Sequence, residues 1–127
     1  MSGEIIFATS FDEKHSPSNI FSSNNSDFWS STGMYPQELV ISFPQPKQIS
    51  ELNIVGYNIK SLLIESCEND SAVIFNPQSE IKNIPLNEGS LQEISCKFTS
   101  KGNNKIVKIN ILDGHKLFCT INSINFK

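Results

Sequence analysis

From residue 37 onward the chain alternates apolar and polar positions with a period of two. Leu39, Ile41 and Phe43 fall on one face and Glu38, Val40 and Ser42 on the other, with Pro44 and Pro46 closing the segment. Ile94, Cys96 and Phe98 alternate with Glu93, Ser95 and Lys97, and Val107, Ile109 and Ile111 with Lys108, Asn110 and Leu112. One-sided strands of this kind suit antiparallel sheets with one face on a core and the other towards water. On this reading outward residues such as Val40, Val55 and Leu63 also place apolar groups on the surface.

Further strands are expected at Glu4–Ala8, Gln48–Val55, Lys60–Ser66, Ala72–Phe75, Ser79–Pro85 and Leu117–Phe126. Turn signals separate them: Glu68-Asn69-Asp70, Asn76-Pro77, Asn87-Glu88-Gly89, Lys101-Gly102-Asn103-Asn104 and Asp113-Gly114. Asp-Gly between two apolar strands predicts a hairpin at 113–114. No window of a dozen residues carries the 3.6-residue period, so helices are limited to a turn or two. One such turn is expected around Ser16–Phe21, where Pro17 follows a Ser16 cap. Eight or nine short strands imply two packed antiparallel sheets, an all-β sandwich or jelly roll, and residues 1–127 read as a single domain.

The run from Ala8 to Phe43 breaks this pattern. It is long, lacks a helical period, and holds the lone tryptophan, Trp29. Loops of this length in a compact domain are binding surfaces, metal sites or disordered segments. Phe21, Phe28, Trp29, Met34 and Tyr35 are too many large apolar groups for a solvated tail, so the run packs on a scaffold. Adjacent Phe28 and Trp29 cannot both point outward from an extended segment, which favours Trp29 as a core plug over an exposed stacking platform for a sugar ring or a partner anchor. Met34 and Tyr35 follow Gly33 and precede Pro36 where loop turns into strand, a place suited to a protruding apolar tip. The partner-facing residues read from that tip are Thr32, Gly33, Met34, Tyr35, Pro36 and Gln37.

Charge and chemistry narrow the function. A net charge of −3 and singly scattered lysines argue against a phosphate-neutralising nucleic-acid face. No apolar run approaches the ~18 residues of a membrane span. Glu4 and a short apolar stretch are unlike a signal peptide, so an intracellular compartment is expected. Cys67, Cys96 and Cys119 lack any CxxC spacing and read as reduced, mostly buried thiols. His15, in the run Asp12-Glu13-Lys14-His15, and His115, after a turn, read as solvated loop residues rather than catalytic bases. Zinc-ligand spacing and a glycine-rich phosphate loop are both missing. The chain reads as a binding protein, not an enzyme.

The segment ATSFDEKHSPSNIFSSNNSDFWSSTGMYPQELVISF carries a specific resemblance. Its ATS-x-DEKH-x-P-x-N-I motif, followed by FW-x-x-TG-M-Y-PQE leading into a strand, resembles the intraflagellar transport protein 25 family. Members of that family are small discoidin-like, galactose-binding-like jelly-roll subunits of intraflagellar transport complex B. The resemblance implies a non-catalytic adaptor of cytoplasm and cilium or flagellum. It also implies heterodimerisation with the Rab-like small GTPase intraflagellar transport protein 27, and docking on larger complex B subunits. Relatives often hold calcium in this loop, and the matching positions here are Asn19, Ser22 and Asp27. The match is degenerate, because Ser22-Ser23 stands where the family has Asp-Gly. A carbohydrate-binding, lectin-like module of the same fold is the alternative reading. Few basic loop residues and the lack of a second tryptophan weaken it. A small chaperone fits less well, since no oligomerisation motif is visible.

Overall fold

The structure is a computed structural model, and it describes residues 3–22, 24, 26–70 and 74–127. Among these the chain forms nine strands: β1 (Glu4–Ala8), β2 (Trp29–Ser30), β3 (Gln37–Gln48), β4 (Glu51–Tyr57), β5 (Ile59–Cys67), β6 (Asn76–Ile81), β7 (Gln92–Lys97), β8 (Asn103–Gly114) and β9 (Thr120–Phe126). They make a five-stranded sheet in the order β1-β3-β8-β5-β6 and a four-stranded sheet in the order β2-β9-β4-β7. All pairings are antiparallel. The expected all-β, two-sheet jelly roll is the architecture found.

Alternation in the sequence explains the core. Leu39, Ile41 and Phe43 of β3, Ile109 and Ile111 of β8, and Leu62 and Ile64 of β5 are buried. They meet Leu52, Ile54, Ile94, Cys96, Ile121, Ile124 and Phe126 of the other sheet. Removing each such aliphatic side chain from water contributes about 1.5–3 kcal/mol. The outer face is less open than the pattern predicts. Val40 is buried with Cys67 and Ile106 in a second cluster covered by Phe75, and Lys108 lies over the Phe75 ring at 4.2 Å. Val40 faces away from the main core as expected, but the segment beside it covers it. All three cysteines are buried and unpaired.

Several expected elements shift. Pro44 and Pro46 do not close β3, which runs on to Gln48 through an irregularity between Ser42 and Lys47. A bulge takes the prolines out of the ladder, where their missing N–H groups cost nothing. Gln48–Val55 becomes β4 at Glu51–Tyr57, and Ser79–Pro85 becomes β6 at Asn76–Ile81. Of Ala72–Phe75, residues Ala72 and Val73 lie outside the described residues, and Phe75 precedes β6. Asp113-Gly114 makes no hairpin. β8 already has β3 on one edge and β5 on the other, so the chain crosses to the opposite sheet before β9 begins at Thr120. The expected turn after Ser16 is present as a 3-10 segment, Pro17–Phe21, preceded by another at Glu13–His15.

Candidate functional site

Trp29 sits in β2, opposite Ile121 of β9, and is fully buried. Its indole Nε1 donates to the carbonyl of Ser10 at 3.1 Å, which meets the one polar need of a buried tryptophan. From Ser10 a polar network runs outward. The Ser10 hydroxyl donates to Gln37 Oε1 at 2.6 Å and accepts from the Thr32 N–H at 3.0 Å. Thr9 Oγ1 also donates to Gln37 Oε1, at 2.6 Å. Gln37 Nε2 in turn donates to the Met34 carbonyl at 2.6 Å. Gln37 is therefore a strut with 3 % exposure, not a surface residue of the tip. This corrects its place in the set read from sequence.

A second loop is tied to the first. The Ser31 N–H donates to the Cys119 carbonyl at 3.0 Å, and the Cys119 N–H donates to Ser31 Oγ at 2.9 Å. The Tyr35 hydroxyl donates to the Lys116 carbonyl at 2.9 Å. Gly114 permits that contact, because a Cβ there would lie 2.0 Å from the Tyr35 hydroxyl oxygen. Burial is the main cause that pushes the Tyr35 phenol above its ordinary value, so it is a donor across the physiological range. Burial also raises the Cys119 thiol, and takes Cys96 up to about 11. Neither sulfur is a ready nucleophile.

These ties hold an apolar rim in the open. Met34 is 87 % exposed and Leu117 91 %, with Phe118 also exposed. Thr32, Gly33, Met34, Tyr35 and Leu117 line a groove of ≈ 410 Å³. Thr32, Gly33 and Pro36 are exposed, and Tyr35 is half-buried. Sequence reasoning missed Leu117 and Phe118 by assigning them to the last strand. Two consecutive apolar residues are a poor fit to a one-sided strand, and that break in alternation was the available signal.

The other candidate positions lie elsewhere. Asn19 Nδ2 donates to the Phe28 carbonyl at 3.0 Å, and the Ser22 hydroxyl donates to Asp27 Oδ2 at 3.1 Å. Asp27 is the one carboxylate of the three residues, whereas calcium prefers six to eight oxygens, several of them anionic. Lys127, near the end of the last strand, is paired with Glu51 at 3.4 Å. Among the described residues no three His, Cys, Asp or Glu side chains gather as a metal cluster. The described donors of this loop fit calcium poorly. The histidines are more enclosed than solvated loops would make them. His15 stacks on Phe28 at 4.2 Å, and His115 Nε2 lies 2.7 Å from the Ile84 carbonyl.

No family model matches the chain. Among curated proteins, the human intraflagellar transport protein 25 homolog is 34% identical over 122 residues, covering 96% of this chain and 83% of the relative. The mouse homolog is 42% identical over 89 residues, which is 70% of this chain and 62% of that protein. Intraflagellar transport protein 25 of Chlamydomonas reinhardtii is 28% identical over 124 residues, 97% of this chain and 64% of that one. Among solved structures, a family 32 CBM from C. perfringens NanJ in complex with galactose has a TM-score of 0.82 at 19% identity. It covers 98% of this chain and 92% of its own. A family 32 carbohydrate-binding module from Streptococcus pneumoniae EndoD has a TM-score of 0.75 at 12% identity, covering 98% and 94%. The structural likeness establishes the fold, a galactose-binding-like, discoidin-like sandwich, and the sequence likeness goes further: this chain belongs to the intraflagellar transport protein 25 family.

Proposed function

We propose that the chain is a non-catalytic adaptor subunit of intraflagellar transport complex B, working in cytoplasm and cilium. In this reading it pairs with a Rab-like small GTPase, intraflagellar transport protein 27, through the rim of Thr32–Pro36 and Leu117–Phe118. The observation that carries the binding site is the exposure of Met34 and Leu117 on two loops that hydrogen bonds fix to each other. Large apolar groups held rigidly in water lose little entropy on docking, which is what a hot spot requires. Stable pairing needs about 1,600 Å² of total buried surface, so flanking residues of both loops belong to the interface as well. Membership of the family supports the transport role.

Co-expression with the tagged GTPase, followed by affinity purification, tests the assignment. Met34→Asp combined with Leu117→Asp is expected to weaken the pair about 1,000-fold, on the scale of two hot spots of about 2 kcal/mol each. The melting temperature of the isolated chain is expected to stay within ~2 °C, since neither side chain is in the core. An intact pair would move the interface elsewhere, and no pair with the unaltered chain would remove the partner. Carbohydrate binding is the second reading and rests on the shared fold. Trp29, being fully buried, cannot serve as a stacking platform for a sugar ring. A glycan array with saturable, sugar-competed binding would reverse the order of the two readings.

A further inference from the structure

Asp113-Gly114 carries hairpin residues but ends β8 without forming a hairpin. Two register shifts in the β5–β8 ladder lie on either side of Ser61, the residue opposite Asp113, so the strand is irregular at this point. Asp113 is exposed, and the Gly114 N–H donates to Asp113's own Oδ1 at 2.9 Å. The Gly114 nitrogen therefore lies against the side-chain carboxyl of the residue before it, and no Cβ shields it. Glycine is also required here by the rim. A Cβ at 114 would lie 2.0 Å from the Tyr35 hydroxyl oxygen and 2.9 Å from the Asn58 carbonyl oxygen. The fold cannot keep the Tyr35 tie and exchange Gly114 for a residue that protects its nitrogen better.

We propose that Asp113 is a site of spontaneous isomerisation to isoaspartate, and that its conversion releases the Leu117–Phe118 side of the rim. The Gly114 nitrogen attacks the carboxyl carbon of protonated Asp113. A C–N bond forms, and the carboxyl hydroxyl leaves with the amide proton as water. Water then opens the five-membered imide at the main-chain carbonyl, restoring the lost molecule and leaving the chain linked through the former side chain. No oxidant or cofactor enters, and the main chain gains one carbon. The neighbouring ties leave little slack for it. Gly114 pairs with Ile59, the His115 N–H donates to the Asn58 carbonyl at 2.9 Å, and Cys119 is bonded to Ser31 through both its N–H and its carbonyl. Between these anchors the Tyr35–Lys116 hydrogen bond is the tie that yields. The switch is a property of the chain itself and does not depend on which partner the rim takes.

The test keeps the full chain, labelled with ¹⁵N, folded at neutral pH for weeks beside a sample unfolded in guanidinium chloride. Isoaspartate is located by electron-transfer fragmentation of its peptides. Conversion at Asp113 in the folded chain is expected to run within about tenfold of the unfolded rate. New amide signals for Tyr35, Leu117 and Phe118 are expected to grow in proportion to it. Tyr35→Phe in the fresh chain removes the donor and is expected to reproduce the Leu117 and Phe118 shifts. Asp113→Glu keeps the carboxylate but needs a six-membered ring, so it is expected to hold the fresh spectrum throughout. Protection of Asp113 by folding beyond about tenfold, or isoaspartate confined to other positions, overturns the site. Conversion that leaves the Tyr35, Leu117 and Phe118 amides unmoved overturns the release.

Discussion

Glu51 shows how one side chain's neighbours set its chemistry. It is 7 % exposed at the start of β4, and its carboxylate accepts from the Lys97 ammonium, the Ser95 hydroxyl at 2.7 Å and the Asn53 amide at 3.0 Å. Lys97, then Ser95 and Asn53, hold the carboxyl down to about 2 from an ordinary 4.5. A carboxyl whose folded value is depressed stabilises the fold above its unfolded value and loses that contribution as pH falls through the folded one. Melting curves should therefore fall between pH 4.5 and about 2, and Glu51→Gln should flatten the curve over that window. Asn58 presents the opposite case. It is fully buried with φ 64, and neither amide atom has a partner. Glycine takes a left-handed backbone without strain and removes the orphan amide, which costs about 1–3 kcal/mol. After the entropy glycine adds to the unfolded chain, Asn58→Gly should stabilise by about 1 kcal/mol in a denaturant melt. Alternation exposed neither residue's role, because neighbours distant in sequence set it.

Among the elements, β4 and β9 meet more closely than ordinary strands. A Cβ on Gly56 would lie 2.5 Å from the Thr120 carbonyl oxygen and 2.7 Å from Ile59 Cδ1, where the β4–β9 register shifts. The Thr120 backbone is held by the ladder and cannot yield as a side-chain tip would. Gly56→Ala should cost about 2 kcal/mol or more, a fall of roughly 6–10 °C in Tm by calorimetry. Strand existence was legible because period-two alternation at Leu39–Phe43, Ile94–Phe98 and Val107–Ile111 is a local consequence of half-burial. Strand ends were less legible. Pro44 and Pro46 punctuate the sequence, but a bulge absorbed them. Asp113-Gly114 has hairpin chemistry, but the slot beside β8 was filled by β5, a strand about 50 residues earlier.

For the whole molecule, the Met34–Leu117 rim is an apolar place that the two sheets leave in the open. Exposed apolar groups grouped in this way mark interaction surfaces, whereas single ones carry no message. The double Met34→Asp, Leu117→Asp variant should therefore lose partner binding with Tm nearly constant. Sequence alone determined the all-β class and the family motif from Ala8 to Phe43, and it favoured burial of Trp29 and the cysteines. Each depends on residue types or spacings within one stretch of chain. Tertiary structure decided the rest: that Gln37 props Met34 from beneath, that Leu117 and Phe118 share its rim, and that β1 is an edge. Tyr35 and Lys116 stand 81 residues apart, and no local pattern encodes their hydrogen bond. It forms because sheet packing brings two loop ends together, and long-range packing of that kind is a property of the folded chain rather than of any segment of it.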